Sequence, residues 1–416
     1  HYEMEQEEHD VYPDDPDFDI NKARLVTTAP RICVRYECVP MRFIKHVYRI
    51  HTYAQDGRLF EGKTPVSAFL NSSYDGSFIA GLMELRYIQS LPVERIINYF
   101  ESHGFTLKKP TAHKLMEKAS SLFENLYKCI RQTALSDPYK AADETYYKIL
   151  VPEKNSKGKG VRKGYLWVVV GINTRMIYLL YDDGSRSEKV ILNELGGCKG
   201  IIQSDGYSPY RKLESDAYPH ITRIPCLQHI KRKFIDCGED DPDAKRIVEM
   251  INTLYQNEHK HKIGVDGWTV EQNLVHRKKY APDILGEIKD VLDDIEERGD
   301  LLPKSELKEA VTYLRNEWNA VVDIFNYGDT YLDNNIVERM NRYISLSRKN
   351  SLFFGSHKGA ERGAILYTIA LTCRMNKVNL FEYLTDVINR TAEWQPNTPL
   401  EKYRQLLPDR WEKAND

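Results

Sequence analysis

Along the first third of the chain, apolar residues recur at helical spacing in two bursts. In "LPVERIINYFESHGFTLKKPTAHKLMEKASSLFENL", Val93, Ile96, Ile97 and Phe100 form one stripe, and Pro92 suits a first helical turn. Gly104 breaks that stripe and Pro110 opens a second helix. Two helices around a short glycine-containing turn predict either a helix-turn-helix or a plain αα-hairpin used for packing, and the pattern weighs the two equally. Ahead of them, "RICVRYECVPMRFIKHVYRIHTYA" is rich in β-branched and aromatic residues with partial alternation, which predicts a short β module.

The texture changes near Tyr139. "ADETYYKILV", "GYLWVVVGIN" and "RMIYLLYDDG" predict three antiparallel strands, the first two joined by a basic loop carrying Lys154, Lys157, Lys159, Arg162 and Lys163. A helix around "SRSEKVILNEL" follows, and then "KGIIQSDGYSPY" reads as a buried strand ending at Asp205. The order β-β-β-α-β fits a ribonuclease-H-like α/β layout. From Asp240 the β signal vanishes and helical stripes take over: Ile247, Met250, Ile251, Leu254 and Tyr255, then Ile284, Ile288, Val291 and Ile295, then Leu307, Val311, Leu314 and Trp318. They predict an all-α insertion, after which "NNIVERMNRYISL" and "ERGAILYTIALTCRMN" give two more helices. No internal repeat is visible.

The expected organisation is an α/β protein with an acidic arm over 1–20, a short β module over 21–62 and a helical, helix-turn-helix-like DNA-binding domain over 63–136. A ribonuclease-H-like catalytic domain over 137–239 and 330–392 is interrupted by the all-α insertion, 240–329, and a C-terminal tail covers 393–416.

Composition alters this picture in two respects. With 41% hydrophobic and 29% charged residues, the 416-residue chain is an ordinary globular protein, and no apolar run reaches the length of a membrane span. The start "HYEMEQEEHD" is the opposite of a signal peptide, so the chain is read as cytosolic, with its natural N-terminus left open. The formal charge of −2 is misleading, because residues 1–20 hold nine acids and no Lys or Arg; the remainder has 59 bases against 52 acids, a net +7. The seven cysteines (Cys33, Cys38, Cys129, Cys198, Cys226, Cys237 and Cys373) are scattered without a C-x-x-C pair, so reduced thiols are expected.

Three acids stand out: Asp143 in "ADETYY", Asp205 in "QSDGYSPY" and Glu338 in "NNIVERMNR". An isolated acid in a chain with 61 of them is usually a surface charge. Each of these three, however, sits beside apolar strand or helix residues of the proposed domain, which would let them converge. Hard carboxylate oxygens are what a pair of magnesium ions needs for phosphodiester chemistry. Bases follow Asp205 and surround Glu338, where they could hold phosphates.

"QSDGYSPY", "CLQHIKRKF" and "LDNNIVERMNRYISLSRKNSLFFGSHKGAERGAILYTI" together strongly resemble the catalytic region of insertion-sequence-66 family transposases, enzymes with an Asp-Asp-Glu triad. The likeness runs from about Ala142 to Arg390. It implies that Asp143, Asp205 and Glu338 are the catalytic, metal-binding triad, loaded with two Mg²⁺ or Mn²⁺ ions. It implies a DNA transposase that cleaves at transposon ends and joins the 3′-hydroxyl to target DNA. Arg342, Arg348, Lys349, the loop bases from Lys154 to Lys163, and His229, Lys231 and Arg232 would then face DNA, while Lys108, Lys109, His113 and Lys114 would help read the terminal repeats. The expected partners are double-stranded DNA, a second copy or higher assembly, and small accessory proteins of the same element, in a bacterial, nucleoid-associated, cytoplasmic setting with no membrane. The 132 residues between Asp205 and Glu338 resemble the helical insertion of such transposases.

Cys226 and His229 of "CLQH" look like a Cys-x-x-His signature of several transposase families. A buried Cys226 beside a hydrogen-bonded His229 is an equal reading, and zinc is disfavoured because two ligands are visible where a structural site takes four. The chain departs from the family where paired cysteines are expected ahead of the helices, and at Ser351, where Trp is common. Phe353 and Phe354 could stack on a base, although core packing is the more ordinary use. Two rivals remain open: a metal-dependent ribonuclease-H-like nuclease that cuts without joining, and a DNA-binding descendant without catalysis.

Overall fold

The computed structural model describes residues 41–47, 49, 52–55, 58–61, 67–69, 72–154, 158, 160–238, 240–299, 301–395 and 397–413. The acidic arm, most of the expected β module with Cys33 and Cys38, and Lys157 and Lys159 lie outside them. The first described elements are a hairpin of β1 (Thr52–Gln55) and β2 (Arg58–Glu61), paired antiparallel from Thr52↔Glu61 to Gln55↔Arg58. Four helices follow: α1 (Gly76–Met83), α2 (Val93–Ser102), α3 (Lys109–Leu122) and α4 (Glu124–Ser136). Gly104 takes a positive φ of 84° just after α2, where the stripe was expected to break, and Ile96 and Phe100 bury the apolar face.

The sheet forms from the runs whose alternation predicts it. β3 (Tyr139–Leu150), β4 (Val161–Gly171) and β5 (Met176–Leu180) are antiparallel neighbours. After α5 (Glu188–Leu195), capped by the Ser187 side chain, β6 (Gly200–Ser204) returns parallel to β3, and β7 (Ile221–Pro225) lies parallel to β6. The order is β5-β4-β3-β6-β7. A mixed five-stranded sheet flanked by helices is consistent with the ribonuclease-H-like layout. The continuous run Leu166 to Val170 is fully buried, as expected of a strand covered on both faces. Gly200, at φ +91°, starts β6 so close to β3 that a Cβ would lie 2.2 Å from the Pro138 carbonyl oxygen.

A four-residue helix α6 (Ser208–Arg211) follows β6, and α7 (Leu227–Ile235) follows β7. Three long helices then form the insertion: α8 (Pro242–Glu258), α9 (Val270–Arg298) and α10 (Glu306–Ile324). The Thr269 and Gln272 side chains close a capping box at the start of α9. The predicted stripes meet in one core, where Ile247, Leu254, Ile288, Val291, Val311 and Leu314 are buried together with Ile224 and Ile230 of β7 and α7. The insertion is therefore packed on the sheet edge.

α11 (Asn335–Asn350) lies against β3 and β4, and α12 (His357–Met375) against β5. α13 (Leu380–Thr391) packs on α1, and the short α14 (Leu400–Arg404) on α4. Residues 45–416 consequently form one compact unit. Two threonines of α12 satisfy the outer edge of β5: Thr368 Oγ1 accepts from the Leu179 N–H at 3.0 Å, and Thr372 Oγ1 accepts from the Ile177 N–H at 3.2 Å and donates to the Ile177 carbonyl at 3.1 Å. No described helix is long and apolar enough to cross a membrane.

Within and just beyond the insertion, a buried cation ties α8 and α9 to the segment that leads into α11. Arg277 of α9 donates to both Glu258 carboxylate oxygens and, on its other side, to the Tyr327 carbonyl, Thr330 Oγ1 at 2.7 Å and the Thr330 carbonyl at 2.6 Å. Burial alone would raise the Glu258 carboxyl, but hydrogen bonds from Arg277 and Tyr280 outweigh it and hold the group below its usual range. Arg277→Met would strand that carboxylate. A loss of about 3–5 kcal/mol is expected from the urea unfolding midpoint; a loss under about 1 kcal/mol would mean that Arg277 is not the tie.

Candidate active site

Asp143 sits in the middle of β3, opposite Val168 of β4. Its side chain is half-buried, with Oδ1 accepting the Glu144 N–H at 2.8 Å and Oδ2 accepting from Asn341 Nδ2 of α11 at 2.6 Å. Among the described residues it has no ion-pair partner. Withdrawal from water, then the nearby charges of Glu144 and Asp205, push its carboxyl up to about 7, against the relief given by the two hydrogen bonds. The neighbouring acid is treated differently. Glu144 pairs with Arg186 and accepts from Tyr210 Oη at 3.3 Å. Burial raises its carboxyl too, but Arg186 opposes that rise.

Asp205 follows the last residue of β6, and its charge is felt at both Asp143 and Glu144. Its Oδ1 accepts the Tyr207 N–H at 3.1 Å, which closes the turn. Its carbonyl oxygen accepts from Arg223 Nη2 at 2.7 Å. Arg223 is itself buried in β7, bonded to Ser204 Oγ at 3.1 Å and paired with Glu214 at 2.6 Å and with Glu317 of α10 at 2.5 Å. Tyr313 of α10 adds a second hold, its Oη accepting the Gly206 N–H at 2.8 Å. A Cβ on Gly206 would lie 2.5 Å from that oxygen, so only glycine fits beneath the ring.

Glu338 lies in the first turn of α11. Its Oε1 is 3.8 Å from His229 Nδ1. Cys226 Sγ, His229 and Glu338 offer ligand atoms that all lie within 4.8 Å of one another, a potential metal-coordinating cluster. Cys226 is buried at the start of α7, where burial pushes its thiol up to about 12 against hydrogen bonds from the Asn334, His229 and Gln228 N–H groups. Four buried atoms along this stretch have no hydrogen-bond partner: His229 Nδ1, Glu338 Oε1, Asn334 Oδ1 and Asn341 Oδ1. Each such atom costs about 1–3 kcal/mol when unsatisfied.

The structure thus brings Asp143 within the field of Asp205, and links Asp143 to the helix of Glu338 through Asn341, one turn further along. Glu338 itself is grouped with Cys226 and His229. Of the expected DNA-facing bases, Lys154, Arg162, Lys163, Arg232, Arg342 and Lys349 are exposed, whereas His229, Lys231 and Arg348 are half-buried. Lys108, Lys109, His113 and Lys114 are exposed around the start of α3, and Lys109 pairs with Glu94 of α2 at 2.7 Å. Arg348 is anchored to β3, donating to the Tyr146 carbonyl and lying 3.9 Å over the Tyr146 ring. Phe354 is core, 4.3 Å from the Tyr147 ring, and Phe353 is exposed.

Sequence reasoning missed a row of alternating cations and rings beside the acids. Lys163 lies 4.3 Å from the Tyr146 ring centre and 5.3 Å from that of Tyr165, while Arg186 lies 5.1 Å from Tyr165 and 4.2 Å from Tyr207. It also missed Asn341, although its place one turn after Glu338 is visible in "ERMN". The roles of Arg223 and Glu317 leave no local signal.

Comparison with known proteins places the chain in a family. The family model described as "Transposase IS66 family" matches residues 71–362. Three uncharacterized proteins of Sinorhizobium fredii (strain NBRC 101917 / NGR234) are similar. y4jD is 25% identical over 346 residues, an alignment covering 80% of this chain and 65% of y4jD. y4hP is 24% identical over 438 residues, with 95% and 76% covered, and y4qI is 26% identical over 384 residues, with 88% and 69% covered. The chain therefore spans just under two thirds of y4jD.

The raised Asp143 carboxyl has a consequence for stability. Folded Asp143 keeps its proton to about 7, whereas an unfolded aspartate loses it near 3.8. Between those values the folded state binds more protons, so this group's contribution falls as pH rises and levels off above about 7. Asp143→Asn removes the effect. The variant is expected to exceed the parent in urea stability by up to about 4 kcal/mol at pH 8 and by much less at pH 4.5; an equal difference at both values would contradict the assignment.

Proposed function

This chain belongs to the IS66 family of transposases, and from that membership we propose that it binds the ends of its own element, cleaves there, and joins the freed 3′-hydroxyl to target DNA. The observation that carries the proposal is the Asp143 carboxyl. Among the described residues it stands without a cation, close enough to Asp205 for their charges to interact, and is hydrogen-bonded by the helix that bears Glu338. A protein built only for stability would neutralise such a group, as this one neutralises Glu144 with Arg186.

Asp143, Asp205 and Glu338 would hold two Mg²⁺ or Mn²⁺ ions. Their hard oxygens and the unpartnered Oδ1 of Asn341 suit such ions. When bound, the pair supplies Lewis-acid activation of the attacking oxygen and stabilisation of the leaving one. The chain's own part is placement. Asn341 fixes Asp143 Oδ2, and the Tyr207 N–H fixes Asp205 Oδ1. Arg223 and Tyr313 hold the Asp205 turn from the side of the insertion. No covalent enzyme intermediate is required, since water and then the 3′-hydroxyl serve as nucleophiles.

DNA would cross the exposed bases around this centre. Arg342, Lys349, Arg162 and Lys163 provide phosphate contacts, and the rings of Tyr146, Tyr165 and Tyr207 keep Lys163 and Arg186 oriented. The pair α2 and α3, with Lys108, Lys109, His113 and Lys114, would act as the helix-turn-helix that reads the terminal repeat. A second copy is needed to hold two ends at once, and accessory proteins of the same element are natural companions.

Two measurements test this reading. Incubated with labelled terminal-repeat DNA, a target plasmid and Mg²⁺, the protein should yield joined products that EDTA abolishes. Asp205→Asn should lose cleavage and joining by at least about 100-fold while retaining end binding, and full cleavage by that variant would overturn the assignment. Cleavage without joining would point to a nuclease instead. Separately, Lys163→Ala should reduce the slope of log K against log salt by about 1 and leave stability within about 0.5 kcal/mol. An unchanged slope would take Lys163 off the DNA path.

A further inference from the structure

The Cys226, His229 and Glu338 cluster has a ligand chemistry unlike that of the acid pair. Magnesium takes oxygen ligands and is poorly served by sulfur and imidazole, whereas zinc-class ions favour them. We propose that Cys226 Sγ, His229 Nδ1 and Glu338 Oε1 bind one zinc-class divalent ion, with a fourth coordination position left open for water or a phosphate oxygen.

Geometry and orphaned atoms support this from two directions. In a tetrahedral zinc site, neighbouring ligand atoms stand about 3.3–3.8 Å apart. His229 Nδ1 and Glu338 Oε1 are already at 3.8 Å, and the set as a whole lies within 4.8 Å, so small side-chain rotations close it. Both of those atoms are buried and have no hydrogen-bond partner, which is a cost unless something sits between them. The sulfur, by contrast, is supported from behind. The Asn334 N–H donates to it at 3.2 Å. Backbone donors around a sulfur stabilise it as a thiolate ligand and orient its remaining lone pairs. Three ligands with an open position match catalytic rather than structural zinc sites, which accounts for the missing fourth cysteine or histidine.

The proposal does not rest on the strand-transfer reading, although Glu338 is common to both. A carboxylate has two oxygens, and the one counted here is Oε1.

The experiment is titration of the EDTA-treated full-length chain with cobalt(II), following the thiolate-to-cobalt charge-transfer absorption, then displacement by zinc and by excess magnesium. One equivalent with a thiolate band, displaced by zinc and not by magnesium, is expected. Cys226→Ser should abolish the band. His229→Ala should weaken binding by at least about 10-fold, and this partly exposed position keeps the test valid if the buried Cys226 variant does not fold. A Cys33→Ser/Cys38→Ser double variant and Asp205→Asn should both retain the band. The latter variant separates this site from the strand chemistry. Absence of a thiolate band in the parent, its survival in Cys226→Ser, or its loss in the Cys33/Cys38 variant would overturn the proposal.

Discussion

The buried guanidinium of Arg223 is the contact on which the arrangement of this protein turns. It reaches from β7 to the carbonyl of Asp205, to Ser204 at the end of β6, to Glu214 and to Glu317 of the insertion. A fully desolvated cation is tolerable only when opposite charge and hydrogen bonds surround it, and its partners come from three separate pieces of the chain: the end of β6, the segment after α6, and α10. Sheet edge, Asp205 turn and insertion are thereby placed together or not at all. The insertion is therefore part of the frame that fixes Asp205, with Tyr313 over Gly206 as its second point of contact.

Charge is distributed unevenly around that frame. Arg223, Arg277 and Arg186 each meet carboxylates, whereas Asp143 is left with an asparagine. Adjacent residues on one strand, Asp143 and Glu144, point to different surroundings, and only the second is neutralised. Such asymmetry is what stability alone would not select. It leaves one acid whose carboxyl is held well above the usual range by burial and like charge, with no compensating cation among the described residues.

Much of the fold is legible in the chain because the signals are local. Alternation in "RMIYLLYDDG", the run "GIIQS" and the stripes of α8, α9 and α10 each reflect burial of one face over a few residues, and the sheet and insertion appear where they predict. The candidate site was legible only in part. Asp205 after a buried strand and Glu338 at the start of a basic helix carry local context, but the bond between Asn341 and Asp143 joins residues 198 apart. The closure of Cys226 and His229 by Glu338 depends equally on how α7 and α11 meet, and nothing near "CLQH" announces a third ligand. The aromatic and basic residues that alternate in space from Tyr146 to Tyr207 come from β3, β4 and two loops, so no single stretch displays them.

The threonines of α12 also bear on how two copies could meet. At Ile177 and Leu179 the outward N–H groups of β5 are taken by Thr372 and Thr368, and the Leu179 carbonyl accepts from Tyr127 Oη at 2.8 Å. A strand from another molecule would find no free donors or acceptors at these positions, and at the opposite margin β7 is covered by α10. At Ile177 and Leu179, therefore, the five-stranded sheet offers an added strand nothing to pair with. A second molecule meeting the sheet at this margin would touch the side of α12 before it reached the strand, and a helix surface, unlike a strand edge, does not template its own repetition.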